Sequence, residues 1–471
     1  MYALTRRQFL KSSALATTLL ALAACAPKPT PTAVPEKKEA EKVASPTSAP
    51  AAQGKTPVVF LCAGTSEVES KHQKYWTEEF NKATPDVEVK IELIGWSDLG
   101  TKQRAYIAAG DAFEISWYCG GGAKEAWLMG WVEPLDDYIG DLKDTFKDFL
   151  FDPLSPNVVE KDGKKYWIGM PFCNYAIGVV ARRDKIVEKA GLADNNAIWE
   201  KMATWEGFLD VAKKIHNPPD FYAVSGPYNH WPSEIILQNG LYSIADFSPD
   251  WQDEYIAALE YLVELFELMP RDAVTWVHRD DVTAYSNGTV GLNRQGTYFY
   301  GDVIPRNPDL MTAEKCIVLP EPHGPAIQDN LIGIGFCGYW MCSKSKHKEA
   351  AAKFLRWLAK PEVENTFPMN LSPLKGVDAK QQVQELEKLF PGMYGERAIW
   401  WFDEWNMLLE KHTPWWGEIV VPGEEINKIF NDEMVRLFNK ETTPQKAYET
   451  MKPAIEAVCK SCPRRDGKKF E

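Results

Sequence analysis

Histidine is scarce: the 471-residue chain has seven. They do not fall at metal-ligand spacings and no H-E-x-x-H pair occurs, so a zinc hydrolase is not expected. There is no nucleophile elbow, no phosphate loop and no Ser-His-Asp order. Neither a metal nor a cofactor is expected. A glycosidase needs only two opposed carboxylates, and acids are plentiful, so that one enzyme class stays open. The rest of the chain reads as a binding protein rather than a catalyst.

Positive charge is in deficit as well. Lys and Arg number 53 against 66 Asp and Glu, a formal net charge of −13. That balance argues against nucleic acid or anionic lipid as the main partner. Long apolar runs are missing too. Ala14 to Ala24 falls well short of the roughly twenty residues that cross a bilayer, and no later segment reads as a span. A C-x-x-C pair occurs once, Cys459-Lys-Ser-Cys462, and a zinc ribbon needs two. The pair follows an amphipathic helix over Tyr448 to Val458, whereas a redox-active pair opens a helix after a strand. A local disulfide between Cys459 and Cys462, or a pair linking the tail, is expected. Cys62, Cys119, Cys173, Cys316, Cys337 and Cys342 sit among apolar neighbours and read as small buried core residues.

What is present starts at the N-terminus. Thr5-Arg-Arg-Gln-Phe-Leu-Lys11 resembles a twin-arginine export signal, an address read by a receptor. Ala14 to Ala24 has the proportions of a signal-peptide core. Leu22-Ala-Ala-Cys25 is similar to a bacterial lipobox, which implies cleavage before Cys25 and acylation of its sulfur. Residues 26–56 are rich in Pro, Ala, Lys, Glu, Ser and Thr and cannot bury enough apolar surface to offset chain entropy. As a linker they would span roughly 30 Å if coil-like. The expected picture is a globular body held by a lipid on Cys25 to the outer face of the cytoplasmic membrane, at the cell surface or in the periplasm.

The body alternates strand and helix. Pro57 to Cys62 is a short apolar run suited to a buried parallel strand. Ser70 to Asn81 has helical periodicity. Val87 to Ile94 (VEVKIELI) alternates as a strand does. Asp98 to Gly110 reads as a helix and Glu114 to Tyr118 as a strand. This βαβαβ order predicts an α/β fold with a parallel sheet and helices on its faces. Asn195 to Ile215 contains a helix after a Thr cap, and Glu254 to Leu268, His347 to Ala359 and Glu424 to Asn439 are further helices.

The segment from Lys164 to Ile215, "KKYWIGMPFCNYAIGVVARRDKIVEKAGL" followed by "TWEGFLDVAKKI", resembles the middle signature of family 1 extracellular solute-binding proteins, the maltose-binding type. "GWVEPLDDYI" (Gly130 to Ile139) is similar to that family's Gly-x-Leu-x-Pro-Leu-Asp segment. "AYSNGTVGLNRQGTYFY" (Ala284 to Tyr300), "IVLPEPHGP" and "TPWWGEIVVPGEEINKIF" continue the series in order, and the likeness runs from about residue 57 to 458. Tyr298 stands where many relatives have Trp. The resemblance implies a two-lobed periplasmic-binding-protein-like fold of type II. Lobe I would be 57–168 and 321–374, and lobe II 169–320 and 375–471. The crossings would fall near Ile168 to Cys173, Cys316 to Pro320 and Asn370 to Gly376. It also implies an ABC importer, whose permease and ATPase would receive the solute from a monomeric receptor.

Eighteen tryptophans are a heavy load. Many must be core, since indole is a large apolar body. Several nevertheless stand beside turn residues where a cleft would lie. A pyranose has an apolar face that stacks on an aromatic ring and a rim of hydroxyls held by carboxylates, amides and arginine. The aromatic candidates for an oligosaccharide site are therefore Trp117, Tyr118, Tyr175, Trp231, Tyr298, Trp340, Trp400, Trp401, Trp415 and Trp416. The polar candidates sit after strands, where open α/β sheets bind ligands. These are Ser66, Glu67, Asp98, Asn174 and Arg294. Ser66, Glu67 and Asp98 would equally serve as helix caps. A polyamine, a glycerophosphodiester or a peptide remains an alternative ligand, and a tethered glycan adhesin or sensor an alternative role.

Overall fold

The computed structural model describes residues 54–459, apart from 65, 150–151, 153, 227–229, 278, 368–376 and 416–422. The export signal, Cys25, the linker up to residue 53, Trp416, Cys462 and the expected crossing at 370–376 lie outside the described residues.

The predicted βαβαβ start is present. Strands β1 (Thr56–Ala63), β2 (Val87–Ile94) and β3 (Ile115–Cys119) alternate with helices α1 (Glu67–Ala83) and α2 (Trp96–Ala109). β1 pairs in parallel with β2 and with β3. Helix α3 (Gly122–Leu128) and the short β4 (Val132–Glu133) follow, then a two-stranded hairpin of β5 (Val158–Lys161) and β6 (Lys164–Trp167). Local chemistry sets the boundaries. Ser66 caps α1 by accepting from the Glu69 N–H at 3.1 Å, and Thr204 caps the helix Trp205–Ile215 by accepting from the Gly207 N–H at 3.2 Å. Each satisfies a backbone donor that the first helical turn leaves open.

The remaining strands are β7 (Met170–Arg182), β8 (Tyr222–Ser225), β9 (Val290–Gly296), β10 (Cys316–Leu319), β11 (Leu331–Cys342) and β12 (Thr413–Trp415). Together they form one mixed sheet of order β2-β1-β3-β11-β7-β9-β8, with β10 on β7 and β4 and β12 on β11. The parallel pattern read from the first third of the chain gives way to antiparallel pairing where β11 meets β3 and β7. β7 and β11 are the long strands, at 13 and 12 residues. The first residues of β11 pair with Ile177 and Trp415, its last with β3 and β4. These two neighbouring strands therefore join the β2-β1-β3 end of the sheet to its β9-β8 end. Helices α1, α2 and Lys348–Leu358 pack on the β2-β1-β3 end; Trp205–Ile215 packs on β8 and leads to Gln252–Phe266, Gly423–Phe438 and Pro444–Val458 at the other end.

One cysteine expectation is corrected. Cys119 and Cys337 are bonded to each other, because β3 and β11 place them as direct register partners. Cys62, Cys316 and Cys342 are buried thiols. Cys459 is itself disulfide-bonded.

Candidate functional site

A cavity of about 320 Å³ opens between the lobes. Its floor is the middle of the sheet, where Cys119, Cys337, Cys173 and Tyr175 project from neighbouring strands. Its walls are aromatic. Trp96 meets Trp117 edge to face at 6.3 Å between centroids, Trp117 packs on Phe367 at 5.8 Å, and Tyr175 meets Tyr298 edge to face at 5.7 Å. Burial raises the phenols of both tyrosines, that of Tyr298 to about 12, so they are neutral O–H groups at the cavity wall.

The polar members of this cavity are Glu69 of α1 and Arg279, which precedes the helix Asp280–Ser286. Arg279 holds a left-handed backbone, with φ 83°, a strained state for a long side chain. Its guanidinium donates to Glu69 Oε2 at 3.3 Å and pairs with the buried Asp302. Burial pushes the Asp302 carboxyl up to about 7, with Arg279 opposing and Glu69 adding to the rise. Glu69 lies on α1, which packs on β2, and Arg279 precedes the helix Asp280–Ser286, which packs on β9. The ion pair therefore links elements from the two ends of the sheet across the cavity.

A second cavity of about 390 Å³ continues from the first and shares Cys119 with it. It is more polar, with Glu125, Ser233, Glu234, Tyr242 and Asn427 among its walls. Distant stretches of chain also meet here. Glu125 of α3 accepts from the Gly423 N–H at 2.6 Å, and Arg104 of α2 donates to Glu424 at 3.0 Å. The two cavities thus meet at Cys119, the first walled by aromatics and the second rich in hydroxyl and acid groups. A smaller recess of about 160 Å³ between α2 and α3 adjoins both, backed by Trp117, Tyr118 and Trp340.

Residues 64–365 match the profile of the bacterial extracellular solute-binding protein family. The chain belongs to that family. Solved structures support the fold of this solute-binding protein. An ABC substrate-binding protein from Listeria monocytogenes in complex with cycloalternan is 20% identical, with TM-score 0.68 over 86% of this chain and 99% of that one. A maltose-bound protein of T. maritima is 19% identical, with TM-score 0.67 over 85% and 99%. The GacH receptor of Streptomyces glaucescens, solved unliganded and with acarbose, is 15% identical, with TM-score 0.66 over 86% and 99%. At these identities the likeness is one of architecture: two α/β lobes on either side of a cleft.

The solute-binding protein gathers some of the sequence-derived candidates at this cleft and leaves others elsewhere. Trp117, Tyr175 and Tyr298 line the first cavity. Tyr118 and Asn174 alternate with cavity residues along their strands, so the pleat turns them away from it. The Tyr118 hydroxyl donates to Asn157 at 2.6 Å, and Asn174 is buried. Trp231, Trp340 and Trp401 are packed inside the lobes rather than in the cavity. Trp231 donates to the Ser225 carbonyl at 2.7 Å, Trp401 to the Thr297 carbonyl at 2.9 Å, and Trp340 meets Phe113 edge to face at 5.2 Å. Trp400 is half-buried against Trp401. The β12 backbone at Trp415 pairs with Gly333. Ser66 caps α1, and Glu67 and Asp98 are exposed in the first turns of α1 and α2. Arg294 lies under the second cavity, where it pairs with Glu234 at 2.8 Å and with the buried Glu321. Burial raises the Glu321 carboxyl, with Arg294 opposing.

Sequence reasoning missed Trp96, Glu69, Arg279 and Phe367. Glu69 carried a signal, because Ser66-x-x-Glu69 is a capping-box spacing. The Ser half of the box forms, and the Glu69 side chain also accepts from Arg279 across the cavity.

Proposed function

We propose that this solute-binding protein is the lipid-anchored receptor of an ABC importer and that its solute is a carbohydrate, most simply an oligosaccharide. The observation that carries this is the interlobe cavity walled by Trp96, Trp117, Tyr175 and Tyr298 and bordered by Glu69 and Arg279. Flat apolar sugar faces stack on such walls, and charged side chains hold the hydroxyl rim. The sugars seen in the solved relatives support the same class. We assign 57–168 with 321–374 to lobe I and 169–320 with 375–471 to lobe II. A solute touching both lobes favours the arrangement in which they meet, by bending at the crossings that precede β7 and β11. Twin-arginine export, the anchor on Cys25, the monomeric state and delivery to a membrane permease complete the proposal, as does a role without catalysis.

The test is a thermal-shift screen of the purified protein against mono- and oligosaccharides, spermidine and a glycerophosphodiester. A ligand that binds only the native state raises the melting temperature. A rise with one or more glycans is expected. A rise with spermidine or the phosphodiester and none with any glycan would overturn the carbohydrate assignment.

A further inference from the structure

Three cysteines stand side by side on the floor of the cleft. Cys337 of β11 is the register partner of Cys119 on β3 and also of Cys173 on β7. All three line the same cavity, so their side chains leave the same face of the sheet. Cys119 and Cys337 are bonded, whereas Cys173 retains its thiol. Directly opposed residues of an antiparallel pair have Cα atoms about 4.5–5.5 Å apart, and disulfides span about 4.4–6.8 Å. Cys337 is thus within bonding reach of a neighbour on either side. The ladder between β11 and β7 also shifts register between Cys337 and Gly338, which leaves local freedom beside the sulfur.

We propose that the cleft floor is a thiol–disulfide exchange site, in which Cys337 passes one bond between Cys119 and Cys173. The Cys173 thiolate attacks Sγ of Cys337. A new Cys173–Cys337 bond forms as the Cys119–Cys337 bond breaks, and Cys119 leaves as a thiolate that takes up the proton Cys173 gave up. One disulfide replaces another, and no oxidant or reductant is consumed.

The two bonds tie different strands. Cys119–Cys337 fastens the end of β3 to β11, two residues from Trp117 in the cavity wall. Cys173–Cys337 fastens β7 to β11, the neighbouring strands at the middle of the sheet that the lobe assignment places on either side of the waist. Exchange therefore moves the tether from the wall to the waist. It releases the Trp117 strand and stiffens the place where the lobes bend. Cys173 and Cys337 are buried beneath the cavity and Cys119 is the most exposed of the three, so the exchange runs within the floor, where a bound solute would cover it. The exchange is the same whatever that solute is.

Disulfide mapping of the full chain tests it. The native protein is held at about pH 6 and about pH 8.5 with a trace of glutathione, since exchange runs through the thiolate. It is then acid-quenched, alkylated and digested without reduction for mass spectrometry. Both Cys119–Cys337 and Cys173–Cys337 peptides are expected, with the alkyl label on Cys173 in the first species and on Cys119 in the second, and faster interchange at the higher pH. A Cys119→Ser variant oxidised with glutathione disulfide is expected to close Cys173–Cys337. Wild-type protein that shows Cys119–Cys337 alone at both pH values overturns the proposal. So does a folded Cys119→Ser chain carrying glutathione on Cys173 or Cys337 in place of the bond. Should that variant fail to fold, the wild-type map decides.

Discussion

Tyr175 and Gly335 face each other across the β7–β11 ladder, and the tyrosine ring lies over the glycine backbone where a Cβ would overlap it. The same device recurs at Gly296, whose missing side chain leaves room for the Tyr298 ring. Both tyrosines of the first cavity therefore depend on a glycine beside them, as rings commonly cover glycines in strands. Gly335→Ala should lift Tyr175 from its seat. Overpacking of this kind costs about 1–3 kcal/mol, so we expect a lower melting temperature. We also expect at least a tenfold loss of affinity for the glycan that the screen selects, read by titration calorimetry. Unchanged affinity would show that Tyr175 takes no part in binding.

Two tryptophans should separate binding from stability. Trp96 is half-buried at the cavity, and Trp231 is fully buried with its N–H satisfied by Ser225. Trp96→Ala should weaken ligand binding by about 1–3 kcal/mol, the range of a buried aromatic anchor, with a small change in melting temperature. Trp231→Ala should destabilise the fold by about 3–5 kcal/mol, the cost of emptying a core site of that size. The opposite pattern would place the ligand elsewhere.

The Glu69–Arg279 pair joins the lobes at the first cavity. Glu69→Gln removes the attraction while leaving Arg279 its Asp302 partner. The ligand-free variant should then spend more time with its lobes apart. Small-angle scattering should show a larger radius of gyration than for the unsubstituted chain, and added ligand should reverse it. Identical curves would mean that the pair has no influence on closure.

Acid carboxyls and histidines pull the pH profile in opposite directions. Asp302 is raised by burial from 3.8 to about 7. The native state thus holds a proton that the unfolded chain releases. The resulting stability is complete below the unfolded value and is lost as pH rises through about 7. His72 is lowered by burial from 6.5 to about 3, so its contribution is complete above 6.5 and is lost as pH falls toward 3. Asp302→Asn removes only the first effect. Between about pH 4 and about pH 8 its melting temperature should gain on that of the unsubstituted protein as pH rises. Parallel profiles would show that Asp302 titrates alike in both states.

Much of the fold was legible because short-range rules wrote it. The alternation in Val87–Ile94 could only be a half-buried strand, and Ser66 and Thr204 mark helix starts by a hydrogen bond formed within three residues. The cleft was legible only in part. Trp117 and Tyr118 are adjacent aromatics before the same glycine turn, and nothing local says which faces the ligand. Trp231, Trp340 and Trp401 look like surface-loop or cleft indoles in sequence, yet two of them bond a distant or looped carbonyl and all three are covered. Glu69 and Arg279 are 210 positions apart, and Cys119 and Cys337 are 218 apart, beyond any spacing rule.

By itself the sequence determined the alternation of strands and helices, the aromatic wealth from which a sugar site could be built, and the order of segments that marks a two-lobed receptor. The tertiary structure alone decided which face of each strand meets the cleft, which charges bridge the lobes and which cysteines pair. The reason is physical. Secondary structure follows from interactions a few residues long, whereas a cleft is assembled where β3, β11 and β7 meet, and their pleat and register exist only once distant stretches of chain have come together.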